Sequence, residues 1–353
     1  MKFIIDWVAR VLNDAQTVTL VLLLAVISAG VLLFGRMLAP VLAGLVIAYL
    51  LEGLVRTLQR LGLPRQPAVI AVFLGFSVFV VFVLFGPLPL LSRQATDLAQ
   101  KLPDMLLRGQ NYLASLPEHY PEFVSSEQIA QLITMIKGEL AGLGQSILSW
   151  SVASVFGLIT LIVYLVLVPV LVLFFLKDKA RLLDWLHQLL PADRALANRV
   201  WRDIDQQIGN YVRGKFWEVL INWAVCYVTF AALALEYAML LSFMVGLSVI
   251  VPYIGAAVVT VPVAVVALFQ WGIGPDFYWV MGAYAAIMIL DGNVLVPWMF
   301  SEVVDLHPIA IIVAVLLFGG LWGFWGVFFA IPLATVVQAV LKAWPRAAAG
   351  VAA

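Results

Sequence analysis

The chain has 353 residues, 64% of them apolar and 11% charged, with lysine plus arginine equal to aspartate plus glutamate at 20 each. A soluble globular protein carries roughly a quarter charged residues, so this composition excludes a water-soluble fold, and a formal net charge of +0 offers no electrostatic footing to nucleic acid. The sole cysteine, Cys226, lies inside an apolar run, which excludes a disulfide framework and a thiolate metal cluster.

From the N-terminus onward, apolar runs recur without a single Asp, Glu, Lys or Arg. Thr17 to Gly35, Met37 to Leu51 and Pro67 to Ser92 are such runs, and a bilayer core needs about 20 helical residues. Residues 1–91 are therefore predicted to hold three spans, at about 17 to 35, 37 to 55 and 67 to 91, the first two separated by Arg36. No A-x-A-like cleavage site follows the first run, so that span is expected to be retained.

Residues 92–150 change character, with Pro103, Pro117 and Pro121 as breakers and six acidic against four basic side chains. This segment is expected outside the membrane. Ser125 and Gln128 resemble a capping box, and Ile129, Leu132, Ile133, Ile136, Leu140 and Leu143 recur at helical spacing. A fourth span is expected over 151–176. Residues 177–216 follow as a basic amphipathic segment in which Leu196, Val200, Ile204 and Ile208 form an apolar stripe. Its lysines and arginines, with Arg56, Arg60 and Arg65, put this side in the cytoplasm by the positive-inside rule. The 92–150 segment is then periplasmic.

Residues 217–342 hold the C-terminal membrane part, and 343–353 a cytoplasmic tail. The uncharged run Tyr237 to Pro275 is 39 residues long, and Leu306 to Leu341 is also longer than one span needs. Counting both as crossings gives about eight spans with both termini cytoplasmic. The expected fold class is thus an all-α polytopic membrane protein with one or two broken or re-entrant segments. Trp271, Tyr278, Trp279 and Trp344 fall at span ends, as interfacial aromatic anchors do.

Breakers deep in an apolar run point toward protein or a wet cavity, because lipid cannot satisfy freed peptide groups. Two such places exist. In Val251-Pro252-Tyr253-Ile254-Gly255, Pro252 removes a helical donor and Gly255 can adopt positive φ, so the run either splits into two half-helices or kinks within a packed helix. Gly319-Gly320-Leu321-Trp322-Gly323-Phe324-Trp325-Gly326 is the second, where Gly319 and Gly323 also make a small-xxx-small pair suited to close helix packing. Interrupted helices in corresponding positions point to a transporter's substrate site.

Asp291 lies near the midplane of its span, where a carboxylate costs a few kcal/mol and must face the bundle interior. Asn293 and the freed backbone near Pro252 are its expected partners, and a coupling or purely structural role both fit. Glu52, Glu218, Glu236, Asp276 and Glu302 are read as span-end residues in contact with headgroups and water, and Arg213 with Gly214 as a cytoplasmic anchor or gate. His307, before Pro308, reads as a loop or helix-start residue. Enzyme signatures are lacking: there is no H-E-x-x-H, Walker A or G-x-S-x-G motif, and the 3 histidines are far apart. No metal site or cofactor is expected.

Several spaced motifs carry a resemblance over nearly the whole chain. They are Asn210-Tyr211-Val212-Arg213-Gly214-Lys215, Val251 to Gly255, Asp291-Gly292-Asn293-Val294-Leu295-Val296-Pro297, Leu306-His307-Pro308, and Gly319 to Gly326 with Ile331-Pro332-Leu333. In these the sequence resembles the autoinducer-2 exporter family of bacterial permeases. The resemblance implies an inner-membrane protein of about eight spans, a homo-oligomer, and export of a small polar solute such as an autoinducer-2-like signal. Some members are associated with sodium-proton antiport, for which Asp291 is equally suited. A membrane scaffold without transport is the remaining alternative. On the first reading the substrate or ion pathway comprises Asp291, Asn293, Pro252, Tyr253, Gly255, Gly319, Gly320 and Gly323, with the lipid bilayer and a small polar solute or ion as partners.

Overall fold

A computed structural model describes residues 15–119, 134, 163–188, 195–252, 254–300 and 307–343. Every regular element among them is helical: α1 (Ala15–Arg60), α2 (Arg65–Phe85), α3 (Pro87–His119), α4 (Val163–Lys177), α5 (Lys179–Gln188), α6 (Ala195–Ala232), α7 (Ala238–Ser248), α8 (Ile254–Trp271), α9 (Pro275–Leu290), a π-helical turn (Asp291–Leu295), α10 (Val296–Phe300), α11 (Pro308–Phe328) and α12 (Ala330–Ala343). Five stretches among the described residues are long and apolar enough to cross a membrane: Met37–Arg60, Arg65–Gly109, Ile254–Trp271, Pro275–Phe300 and Pro308–Phe328. The protein is a multi-pass, all-α membrane protein. Its outward surface agrees, since side chains such as Phe79, Phe82, Val258, Val261 and Leu316 are exposed from the bundle and match lipid rather than water.

Two boundaries differ from the sequence expectation. Arg36 does not divide two spans: α1 runs unbroken for 46 residues through Arg36 and Pro40, about 69 Å at helical rise. A single charge on a helix leaves the backbone ladder intact, and the residues directly after Arg36, Met37-Leu38-Ala39, are good helix formers. Likewise, α6 runs from the segment expected to be cytoplasmic straight into the apolar one, 38 residues without a stop. The expected helix around 125–143 and the start of the fourth span lie outside the described residues.

Both overlong runs break. The 11-residue α7 measures about 16 Å, roughly half the hydrocarbon thickness. Leu241 and Val245 of α7 share one buried cluster with Val259, Val263 and Val266 of α8, so the chain folds back between Ser248 and Ile254. Gly255 makes the turn feasible, because a Cβ there would collide with the Ser248 carbonyl. In α11 the break is at Gly323, with φ 59° and ψ −137°, a conformation that only glycine adopts readily. Beyond it the chain returns so closely that a Cβ on Gly326 would collide with the Phe318 carbonyl, and Ile311, Ala314 and Val315 pack with Ala330 and Ile331. The close-packing role of these glycines and the break are thus one feature, a helical hairpin.

At one end of the bundle α1, α2 and α4 meet around Glu52, which is 7% exposed. Its carboxylate lies 3.2 Å from Arg65, 3.0 Å from Lys179 and 3.7 Å from Arg56, and Arg65 also donates to the Leu176 carbonyl at 2.9 Å. Glu52 is therefore a buried ion-pair hub and not a solvated span-end residue. Elsewhere α3 packs on the turn that starts α7. Gln94 Oε1 accepts from the Leu240 amide at 2.8 Å, and Lys101 lies 3.6 Å from Glu236 and over the Tyr237 ring. That turn holds Ala234 and Tyr237 at positive φ. Gln270 clamps it, accepting from the Glu236 amide at 2.7 Å and donating to the Ala234 carbonyl at 2.8 Å.

Candidate functional site

Tyr211, Lys215, Glu218 and Asn222 stand at i, i+4, i+7 and i+11 on α6, which places all four on one face of the helix. Lys215 and Glu218 are 5% and 2% exposed. The ammonium donates to both carboxylate oxygens, at 3.0 and 2.8 Å, and sits 5.6 Å from the centre of the Phe300 ring. One turn on, the Asn222 amide donates to the Glu218 carbonyl oxygen at 3.1 Å and to Asp291 Oδ1 at 2.7 Å. A chain of polar groups therefore runs from Lys215 through Glu218 and Asn222 to Asp291, joining α6 to the π-helical turn after α9.

Asp291 is the first residue of the π turn, a feature frequent at functional sites. The turn spans Asp291 to Leu295 and contains Gly292, where an added Cβ would meet nothing within 4 Å.

These residues border a cavity of about 570 Å³. Tyr211, Lys215 and Glu218 form one wall, Val249, Val251, Pro252 and Ala256 around the first break another, and Asp291 and Gly292 of the π turn with Val296 and Pro297 of α10 a third. Ile311 and Ile331, from the open end of the second hairpin, complete it. The Tyr211 hydroxyl is fully buried with no hydrogen-bond partner among the described residues, although its ring packs on Phe300 and Phe328 at centroid distances of 5.8 and 6.4 Å. An unpaired buried hydroxyl costs about 1–3 kcal/mol, a penalty that a packing role alone does not explain, since phenylalanine would avoid it.

The structure brings Asp291 and Pro252 to one cavity and separates other residues assigned to the pathway from it. Asn293 turns away from Asp291: it is exposed and donates to Ile289 of its own helix at 2.8 Å, because two residues along a helix point to different faces. Asn222 takes its place. Gly255 serves the turn behind Pro252, while Gly319, Gly320 and Gly323 lie at the tip of the second hairpin, outside the cavity wall. Arg213 bonds Asn210 on its own helix at 2.9 Å. Gly214 lets Phe300 approach α6, since a Cβ there would sit 2.7 Å from the ring. Tyr253 lies outside the described residues. Glu218, expected at a wet span end, is instead 2% exposed within α6, a second carboxylate buried in the bundle beside Asp291. The signal was present as a polar stripe, Lys215, Glu218 and Asn222, crossing a span assumed to start at residue 217.

A family model described as AI-2E family transporter matches residues 20–346. The chain belongs to the AI-2E transporter family. Among its relatives, PerM of Escherichia coli strain K12, named as a permease, is 42% identical over 98% of each chain. YueF and YrrI of Bacillus subtilis, named as transport proteins, are 26% and 24% identical, covering 85% and 86% of this chain and 82% and 85% of their own. Membership of the AI-2E family makes this a membrane transporter, whose solvent is the bilayer and whose cargo is a small solute.

Proposed function

We propose that this AI-2E family member is a secondary transporter that moves a small polar solute outward through the cavity between the first broken helix and the π turn. What carries the reading is that Lys215, Glu218 and Asp291, linked through Asn222 behind them, are the charged groups in the lining of a cavity otherwise mostly apolar. Ionisable groups at membrane depth mark a pathway, because their insertion cost is tolerated only where a partner or water meets them. An autoinducer-2-like signal is a suitable cargo by family, and the protein works in the bacterial inner membrane with both termini cytoplasmic and with copies of itself as partners.

Asp291 faces the cavity with one oxygen held by Asn222 and is the candidate for charge compensation during the cycle. In reconstituted protein, Asp291→Asn and Asp291→Ala should abolish coupled flux while leaving the protein folded. Undiminished flux in both would overturn the role given to Asp291.

A second reading, cation–proton antiport, is favoured by one specific observation. Glu218 is a second buried carboxylate beside Asp291, and a single lysine, Lys215, shares the cavity with both. Sodium or lithium pulses on everted vesicles loaded with a pH-sensitive dye separate the two readings: a proton movement tied to the pulse supports antiport, and solute flux without it supports export.

A further inference from the structure

The Glu52 hub and α5 form a face that the transport pathway does not use. Three apolar helices end there together: α1 at Arg60, α2 beginning at Arg65, and α4 at Lys177. Inside the hub one carboxylate meets Arg56, Arg65 and Lys179, so two positive charges remain in excess. Arg60, Lys177 and Arg181 flank the hub in the sequence and only Asp178 and Asp184 offset them, which leaves the face cationic.

The 10-residue α5 adds an apolar edge. Lys179 turns inward to Glu52, whereas Leu182 and Trp185, three residues apart and so on one side of the helix, are 41% and 59% exposed. Arg181 is exposed beside them. A short helix that directs tryptophan and leucine away from its own protein, with basic residues alongside and at the end of a span, has the composition of an interfacial helix. A soluble partner would leave unexplained why this edge sits level with three span ends.

We propose that this face binds the headgroup phosphate of an anionic phospholipid, with α5 lying in the interfacial plane, Leu182 and Trp185 toward the acyl chains, and Lys177, Arg181 and the surplus cations of the hub on the phosphate. Charge complementarity names the occupant: cytoplasmic-side basic clusters attract anionic lipid at about 1 kcal/mol per lysine or arginine.

The test uses the full chain purified in mild detergent, with native mass spectrometry of bound phosphatidylglycerol against phosphatidylcholine of the same acyl chains. Phosphatidylglycerol should be retained preferentially. Lys177→Gln/Arg181→Gln should cut that preference roughly thirtyfold, two charges' worth, and millimolar inorganic phosphate should not displace the lipid. Trp185→Ala, which leaves the charges in place, should weaken retention of both lipids. Equal retention of the two lipids, displacement by inorganic phosphate, or an unchanged preference in the double variant would each overturn the proposal. So would dissociation of an oligomer on mutating Trp185, which would make the edge a contact between copies.

Discussion

Replacing Lys215 by methionine removes the cation and keeps most of the side-chain volume. Its partner Glu218 is 2% exposed and takes both of its hydrogen bonds to a side chain from that ammonium, so the variant buries an uncompensated charge beside a second carboxylate, Asp291. Breaking a buried pair by losing one member costs about 3–5 kcal/mol, which is roughly a hundred- to several-thousand-fold in the folded-to-unfolded ratio. Glu218→Leu is expected to cost less, because Asp291 remains to offset Lys215 across the same cavity. The double variant Lys215→Met/Glu218→Leu should regain most of the loss, since exchanging a whole buried pair for apolar groups is often close to neutral. The chain supplies its own reporter: Cys226 is the sole cysteine and is 0% exposed, so a fluorogenic maleimide reads its uncovering on heating in detergent. At one scan rate the expected order of midpoints is Lys215→Met lowest, Glu218→Leu next, and the double variant near the parent. A Lys215→Met midpoint equal to that of the parent, or a double variant whose losses simply add, would refute the claim that the two charges hold each other in place.

The glycines separate into two groups by what a methyl would meet. Gly255→Ala and Gly326→Ala push a Cβ into the Ser248 and Phe318 carbonyls, and backbone on both sides leaves little room to yield, so each should lower folded yield or the thermal midpoint sharply, while Gly292→Ala and Gly320→Ala, with nothing within 4 Å, should fold as the parent does. Gly323→Ala should cost about 1–3 kcal/mol through its positive φ alone, measured by the same maleimide assay. Gln270→Ala removes both clamps on the Ala234–Tyr237 turn and should cost about 1–3 kcal/mol. Gln270→Glu, which keeps the oxygen for the Glu236 amide and loses the donor to Ala234, should fall between the two; an alanine variant as stable as the parent would show that the turn needs no clamp.

Much of this protein was legible in its residues one at a time. Charge-free runs require membrane helices whatever packs against them, because an unpaired peptide group is too costly in hydrocarbon, and the Pro252 and Gly323 breakers announce interruptions that depend on local backbone chemistry. Asp291 was found for the same reason, as a charge where lipid forbids one. What could not be read was which partner each group finds. Asn293, two residues from Asp291, looked available but faces elsewhere, while Asn222, 69 positions away, supplies the bond. Lys215 and Glu218 looked like span-end charges because charge alone marks a boundary equally well whether it meets water or another charge.

Whether a breaker re-aims a hairpin into a cavity or away from it is likewise a tertiary matter. Pro252 lies on the cavity and Gly323 at the tip of a hairpin that touches it only through its open end. Solvent, fold class and the places where a helix could be interrupted follow from the transfer cost and backbone freedom of single residues. Only the tertiary structure decided that α6 runs unbroken past residue 216, and with it that Lys215, Glu218 and Asn222 form a stripe reaching Asp291. Such pairings depend on distances between segments far apart in the chain, on which the local pattern is silent.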